Sequence, residues 1–139
     1  MPRWTCPECR RQFGRKGQGH ECAPAMPLDE YLATGPPHER AIVEAVLQVL
    51  EESVGPVHIE PVSVGVFLKR SATFAELRPK VRWEALSFTL PRRLTDPRIA
   101  RRIEGTGTRL WHVVNLRTPA DVDEHVRDWL VEAYFASPE

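Results

Sequence analysis

No apolar run in this chain approaches the roughly 20 residues that cross a bilayer. The longest uncharged apolar-rich stretch past the N-terminal region is Pro61 to Leu68. The first residues carry Arg3, Cys6, Glu8 and Cys9, where a secretory signal needs an apolar segment. A cytoplasmic location without membrane association is therefore expected. Cysteine is scarce and odd in number, with three residues in all; that fits poorly with a closed disulfide framework and well with a reducing compartment. The chain has no internal repeat, low-complexity tract, nucleophile elbow, glycine-rich phosphate loop or paired-carboxylate motif. Enzymatic activity is thus uncertain and the less favoured class.

Net charge is absent too, but its zero is made of opposing blocks. Residues 1–22 carry +3 and residues 69–109 carry +7, whereas residues 29–60 carry −6 and residues 110–139 carry −4. Two basic blocks suggest one surface for an anionic ligand. Equally, basic strands and acidic helices neutralise each other within a fold. The 139 residues, at 42% hydrophobic and 27% charged, suffice for one compact domain with a small appendage.

All three cysteines lie in the first 22 residues, as Cys6-Pro7-Glu8-Cys9 and then His20-Glu21-Cys22. The Cys-x-x-Cys spacing lets two thiolates meet one metal. His20 and Cys22, two apart on an extended segment, point the same way. Zinc on Cys6, Cys9, His20 and Cys22 explains how so short a peptide is organised, because bound metal replaces the core it lacks. A redox Cys-x-x-Cys is the alternative, although no strand-to-helix context surrounds it. Unliganded cysteines are the third reading.

The domain plan that follows is a zinc knuckle over 1–22, a linker over 23–28 and an α+β domain over 29–139. Leu28 to Ala33 reads as a helical turn, stopped by Gly35-Pro36-Pro37. His38 to Ser53 has an apolar stripe at helical spacing: Ile42, Ala45, Val46, Val49, Leu50. Strands are predicted at Val57–Glu60, Val64–Arg70, Phe74–Arg78, Trp83–Leu90 and Arg109–Leu116. Asp96-Pro97 reads as the cap of a short helix to about Arg102, and Gly105 with Gly107 as a turn. Thr118-Pro119-Ala120-Asp121 resembles a capping box opening a helix with Val122, Val126, Trp129, Leu130 and Ala133 on one stripe to about Phe135. The expected class is α+β: an antiparallel sheet of about five strands packed with two main helices.

The string Trp4-Thr5-Cys6-Pro7-Glu8-Cys9-Arg10-Arg11-Gln12-Phe13-Gly14-Arg15, with Gln18, His20 and Cys22, resembles the leader of many bacterial members of the domain-of-unknown-function family 5655. Gly35-Pro36-Pro37, Gly55-Pro56-Val57, Phe74-Ala75-Glu76-Leu77-Arg78-Pro79-Lys80, Leu90-Pro91-Arg92-Arg93-Leu94, Asp96-Pro97-Arg98 and the Trp129-Leu130 helix are similar to that family as well. The resemblance implies a small bacterial α+β domain with a zinc-ribbon-like leader, and implies no activity.

Two constellations suggest function. Arg10, Arg11, Arg15 and Lys16 crowd the knuckle, either as phosphate contacts or to dock it on the acidic helix at Glu44, Glu51 and Glu52. On the sheet, Arg109, Trp111 and Asn115 share a strand face opposite His112. If helices cover one face only, these residues with Trp83 form an open aromatic and basic platform; if both faces are packed, the tryptophans are core. Glu60 near His58, or Glu84, is a candidate general base. The favoured function is binding of nucleic acid or a protein partner, with structural zinc. The alternative is a small enzyme or sensor of a small anionic ligand, using a pocket near His58, Trp83, Arg109, Trp111 and His112. A purely structural module is the third class.

Overall fold

A computed structural model describes residues 4–20, 22, 24–104 and 109–137. Two very short strands, β1 (Trp4–Thr5) and β2 (Gln12–Phe13), pair antiparallel at the N-terminus. Helices α1 (Leu28–Ala33) and α2 (Glu39–Ser53) follow. Then come β3 (His58–Val62), β4 (Gly65–Lys69), β5 (Thr73–Pro79), β6 (Glu84–Leu90), β7 (Ile99–Glu104) and β8 (Leu110–Leu116). A 3-10 turn at Pro119–Asp121 leads into α3 (Glu124–Ala136). The six later strands form one antiparallel sheet in the order β3-β4-β5-β6-β8-β7. The class is α+β, as expected from strands joined by short connections.

Period-two alternation decides what each sheet face meets. Leu86, Phe88 and Leu90 of β6 align with Val114, His112 and Leu110 of β8. That face is packed by α2 and α3, and Ile42, Val46, Leu50, Val126, Leu130 and Ala133 are all buried in the same core. Phe88 stacks between His112 and the Trp129 ring of α3, at 5.6 and 5.8 Å. Such burial is the main favourable term, worth about 1.5–3 kcal/mol per large side chain. The predicted α2 stripe shifts slightly: Val43 is buried while Ala45 and Val49 are half-buried. Phe135 leaves the α3 stripe and is 59% exposed.

Two readings need correction. The helix expected after Asp96-Pro97 is a single turn, closed by Ile99 N–H on the Asp96 carbonyl, that enters β7. Ile99 and Ile103 pair with Val114 and Trp111 of β8, so the sheet has six strands rather than about five. The capping box is formed by Thr118 and Asp121, but it caps the 3-10 turn; Asp123 caps α3 through Val126 N–H at 3.1 Å. The expected turn at Gly105 and Gly107 lies outside the described residues. No helix among the described residues is long and apolar enough to cross a membrane.

Candidate metal centre and its docking on the sheet

The β1–β2 hairpin exists to place two cysteines. Cys6 N–H bonds to the Arg11 carbonyl and Arg10 N–H to the Cys6 carbonyl, both at 2.9 Å. Closing this turn puts Arg10 in the left-handed region, at φ 65°. That region suits glycine and costs other residues about 1–2 kcal/mol. The returning segment brings His20 and Cys22 alongside. Cys6 Sγ is 3.5 Å from Cys22 Sγ, and His20 Nε2 is 3.3 Å from Cys9 Sγ and 3.4 Å from Cys22 Sγ. All four donor atoms lie within 4.8 Å of one another.

Donor chemistry and spacing fit a tetrahedral ion. A zinc–sulfur bond of about 2.3 Å implies sulfur–sulfur edges of roughly 3.8 Å. His20 Nδ1 donates to the Gln18 carbonyl at 2.7 Å, which leaves Nε2 with its lone pair toward the sulfurs. The thiols titrate apart. Backbone N–H bonds, from Cys9 first and Glu8 next, pull Cys6 down to about 6 against desolvation, helped by the Cys22 and Cys9 thiols. Cys22 is pushed up to about 12 by its bond to Cys6, by desolvation and by Cys9. Crowded sulfurs of this kind need a cation before all can ionise. The ring of Phe13 lies 4.0 Å from that of His20, and Trp4 adds a small apolar wall.

Arg11 is not a free surface cation. It is 6% exposed, and its Nε donates to Glu60 Oε1 on β3 at 2.9 Å. Lys69 on β4, also buried, meets the same oxygen at 2.9 Å. Glu60 Oε2 accepts from Gln12 N–H at 3.2 Å and lies 2.8 Å from His58 Nε2. Lys69 Nζ sits 3.9 Å from the centre of the Phe13 ring. The knuckle thus docks on the sheet face opposite the helices, through Glu60 rather than the acids of α2. Burial alone pushes Glu60 up, but the bonds from Lys69 and Arg11 outweigh it and hold the carboxyl below its ordinary value. Burial draws Lys69 downward, opposed by Glu60. Arg10, Arg15 and Lys16 remain exposed.

The five residues expected to share a pocket are dispersed. His58 belongs to the Glu60 cluster on edge strand β3. His112 lies on the core face, where its Nε2 accepts Leu94 N–H at 2.9 Å; burial lowers its affinity for a second proton. Trp83 lies by the Glu84 end of β6, under the Arg117 guanidinium at 4.9 Å, with its carbonyl 3.1 Å from His38 Nε2. Arg109 and Trp111 lie at the other end, 6.0 Å apart; Trp111 faces away from the helices, whereas Arg109 also borders Ala133 and Ala136 of α3. Arg109 is anchored by a 2.7 Å bond to the Thr73 carbonyl. Beside Trp111 on β7, Arg101 is exposed and Ile103 is 47% exposed.

The sequence reading missed a buried acid pair. Glu39 opens α2 and Glu84 opens β6, each 0% exposed. Tyr31 O–H donates to Glu39 Oε2 at 2.7 Å. Glu39 Oε1 and both Glu84 oxygens otherwise lack a partner among the described residues. Burial, then Glu39, pushes Glu84 up to about 9, so Glu84 keeps its proton at neutral pH. The signal was present: Glu39 lies on the Ile42, Val43, Val46 stripe, and Glu84 on the Leu86, Phe88 face.

No curated protein and no solved structure matches the chain. A family profile does, over residues 28–137, which take in the whole six-stranded sheet and its helices and leave the knuckle outside. Over that span, most of its length, the chain belongs to the family described as Domain of unknown function (DUF5655).

Proposed function

We propose that the protein is a zinc-stabilised, cytoplasmic module that binds single-stranded nucleic acid. The observation that carries this reading is the uneven cover of the sheet. Helices take one face; the knuckle takes a corner of the other and leaves Trp111 beside Arg101, Arg109 and Asn115. Aromatic rings beside cations are what a single strand uses, bases stacking and phosphates pairing. The exposed Arg10, Arg15 and Lys16 extend the same chemistry onto the knuckle. Four protein donors would close the zinc sphere, making the metal structural. Its Cys3His charge of −1 would face a cluster of Arg11, Lys69 and Glu60 with charge +1.

Anisotropy titrations of a labelled single strand at several salt concentrations test the reading. Affinity should fall with salt by roughly 0.7 in log–log slope per phosphate neutralised, and Arg15→Ala with Lys16→Ala should flatten that slope. Trp111→Ala should weaken binding about tenfold. No binding at low salt would overturn the proposal. A protein partner is the second reading. It is favoured by Val81, 90% exposed beside Pro36, Pro79 and Trp83 in an apolar surface patch.

A further inference from the structure

Knuckle and sheet do not close completely on each other. A groove of about 260 Å³ remains between them, walled by Phe13, Gln18 and His20 on the knuckle side and by Ser63, Phe67, Thr73 and Arg78 on the sheet side. It therefore exists only while the knuckle is docked. Among the described residues that line it none is acidic, and two are arginines. Arg11 is held by Glu60, whereas the Arg78 side chain is 44% exposed and lies 5.8 Å from the Phe67 ring. Arg78 Nε is 3.2 Å from Glu76, which leaves the terminal nitrogens of the fork for another acceptor. Gln18, Ser63 and Thr73 bring a carboxamide and two hydroxyls to the same space. Arg15 and Lys16, both exposed, precede Gln18 on its loop.

We infer that this groove takes one unstacked nucleotide, its base against Phe67 and its phosphate at Arg78. A base has a π face and a polar edge, which match one aromatic wall, Phe67, flanked by hydroxyl and amide groups. A phosphate takes a guanidinium in fork geometry. The volume falls just under the roughly 300 Å³ at which drug-sized pockets begin, so the groove suits one nucleotide and not a longer segment. The inference rests on the nucleic-acid reading and deepens it, since Phe67 in the groove and Trp111 share the sheet face away from the helices. A free mononucleotide has the same chemistry.

The test uses the full, zinc-loaded chain and two probes: AMP, and a short single strand carrying 2-aminopurine at one internal position. AMP should bind, and the 2-aminopurine emission should change on binding. Arg78→Ala and Gln18→Ala should each weaken AMP about tenfold, and Gln18→Glu should weaken it further by setting a carboxylate against the phosphate. Arg93→Ala, on an exposed loop residue outside the groove, should change nothing. Zinc content and circular dichroism of each variant separate lost binding from lost folding. If the strand binds without an emission change and AMP does not bind, the groove proposal fails while the single-strand reading stands. If AMP binds and the strand does not, the groove is a free-nucleotide site and the single-strand reading fails. If neither binds, both fail.

Discussion

Replacing Glu60 by glutamine should cost this protein about 3–5 kcal/mol, the usual penalty for removing one partner of a buried ion pair. The magnitude follows from what the carboxylate holds. It is 1% exposed and receives Arg11 and Lys69 at 2.9 Å each. With glutamine, two buried cations lose the carboxylate they share, and an amide N–H₂ is set against donors. Urea unfolding of the full chain at fixed zinc concentration reads the loss as a lower midpoint with unchanged slope. Two internal checks accompany it. The Glu60 carboxyl is held low, so its stabilisation is present above the ordinary carboxylate range and is lost as pH falls through the folded value. The gap between wild type and Glu60→Gln should therefore close in acid. Replacing Arg11, Glu60 and Lys69 together by methionine should recover most of the loss, because an apolar set leaves no charge stranded. A Glu60→Gln loss under about 1 kcal/mol would mean that water reaches the cluster and that something else holds the knuckle.

Other consequences are as direct. Glu84 is raised to about 9, so folding stability should fall as pH rises from about 5 through 9; Glu84→Gln should remove that slope and raise stability at pH 8 by at least about 1 kcal/mol, read by thermal unfolding across pH. Arg10→Gly should relieve the left-handed backbone and tighten metal retention by about 1 kcal/mol, read by competition with a chelator. Gly35→Ala should be destabilising, because the added Cβ enters the space of Glu39 Oε1; denaturant unfolding should show the loss shrinking when Glu39 is also replaced by alanine.

What was legible in the sequence was local. The stripe of α2, the alternation of β6 and β8 and the Cys-x-x-Cys pair each declare themselves within a few residues. β7 was misread because Asp96-Pro97 carries a helix-start signature. Ile99 and Ile103 become strand residues only by pairing with β8, where context overrides propensity. The role of Arg11 was invisible for another reason: its partner lies 49 residues away. Arginine beside a metal knuckle looks like a surface cation until the strand that receives it is placed. Glu39 was readable in principle, as an acid on an apolar stripe. A lone acid at such a position has no meaning until Glu84 comes against it. The platform expected near Trp83 and Trp111 divides for a geometric reason, since the two rings occupy opposite ends of β6.

Metal stoichiometry by native mass spectrometry, on protein purified without added metal, tests the central claim most directly. The account predicts one zinc per chain, lost in Cys9→Ser and in His20→Ala, with the released knuckle becoming sensitive to protease at Arg11. A chain that carries no metal when fully reduced, or that keeps its zinc in both variants, would contradict it.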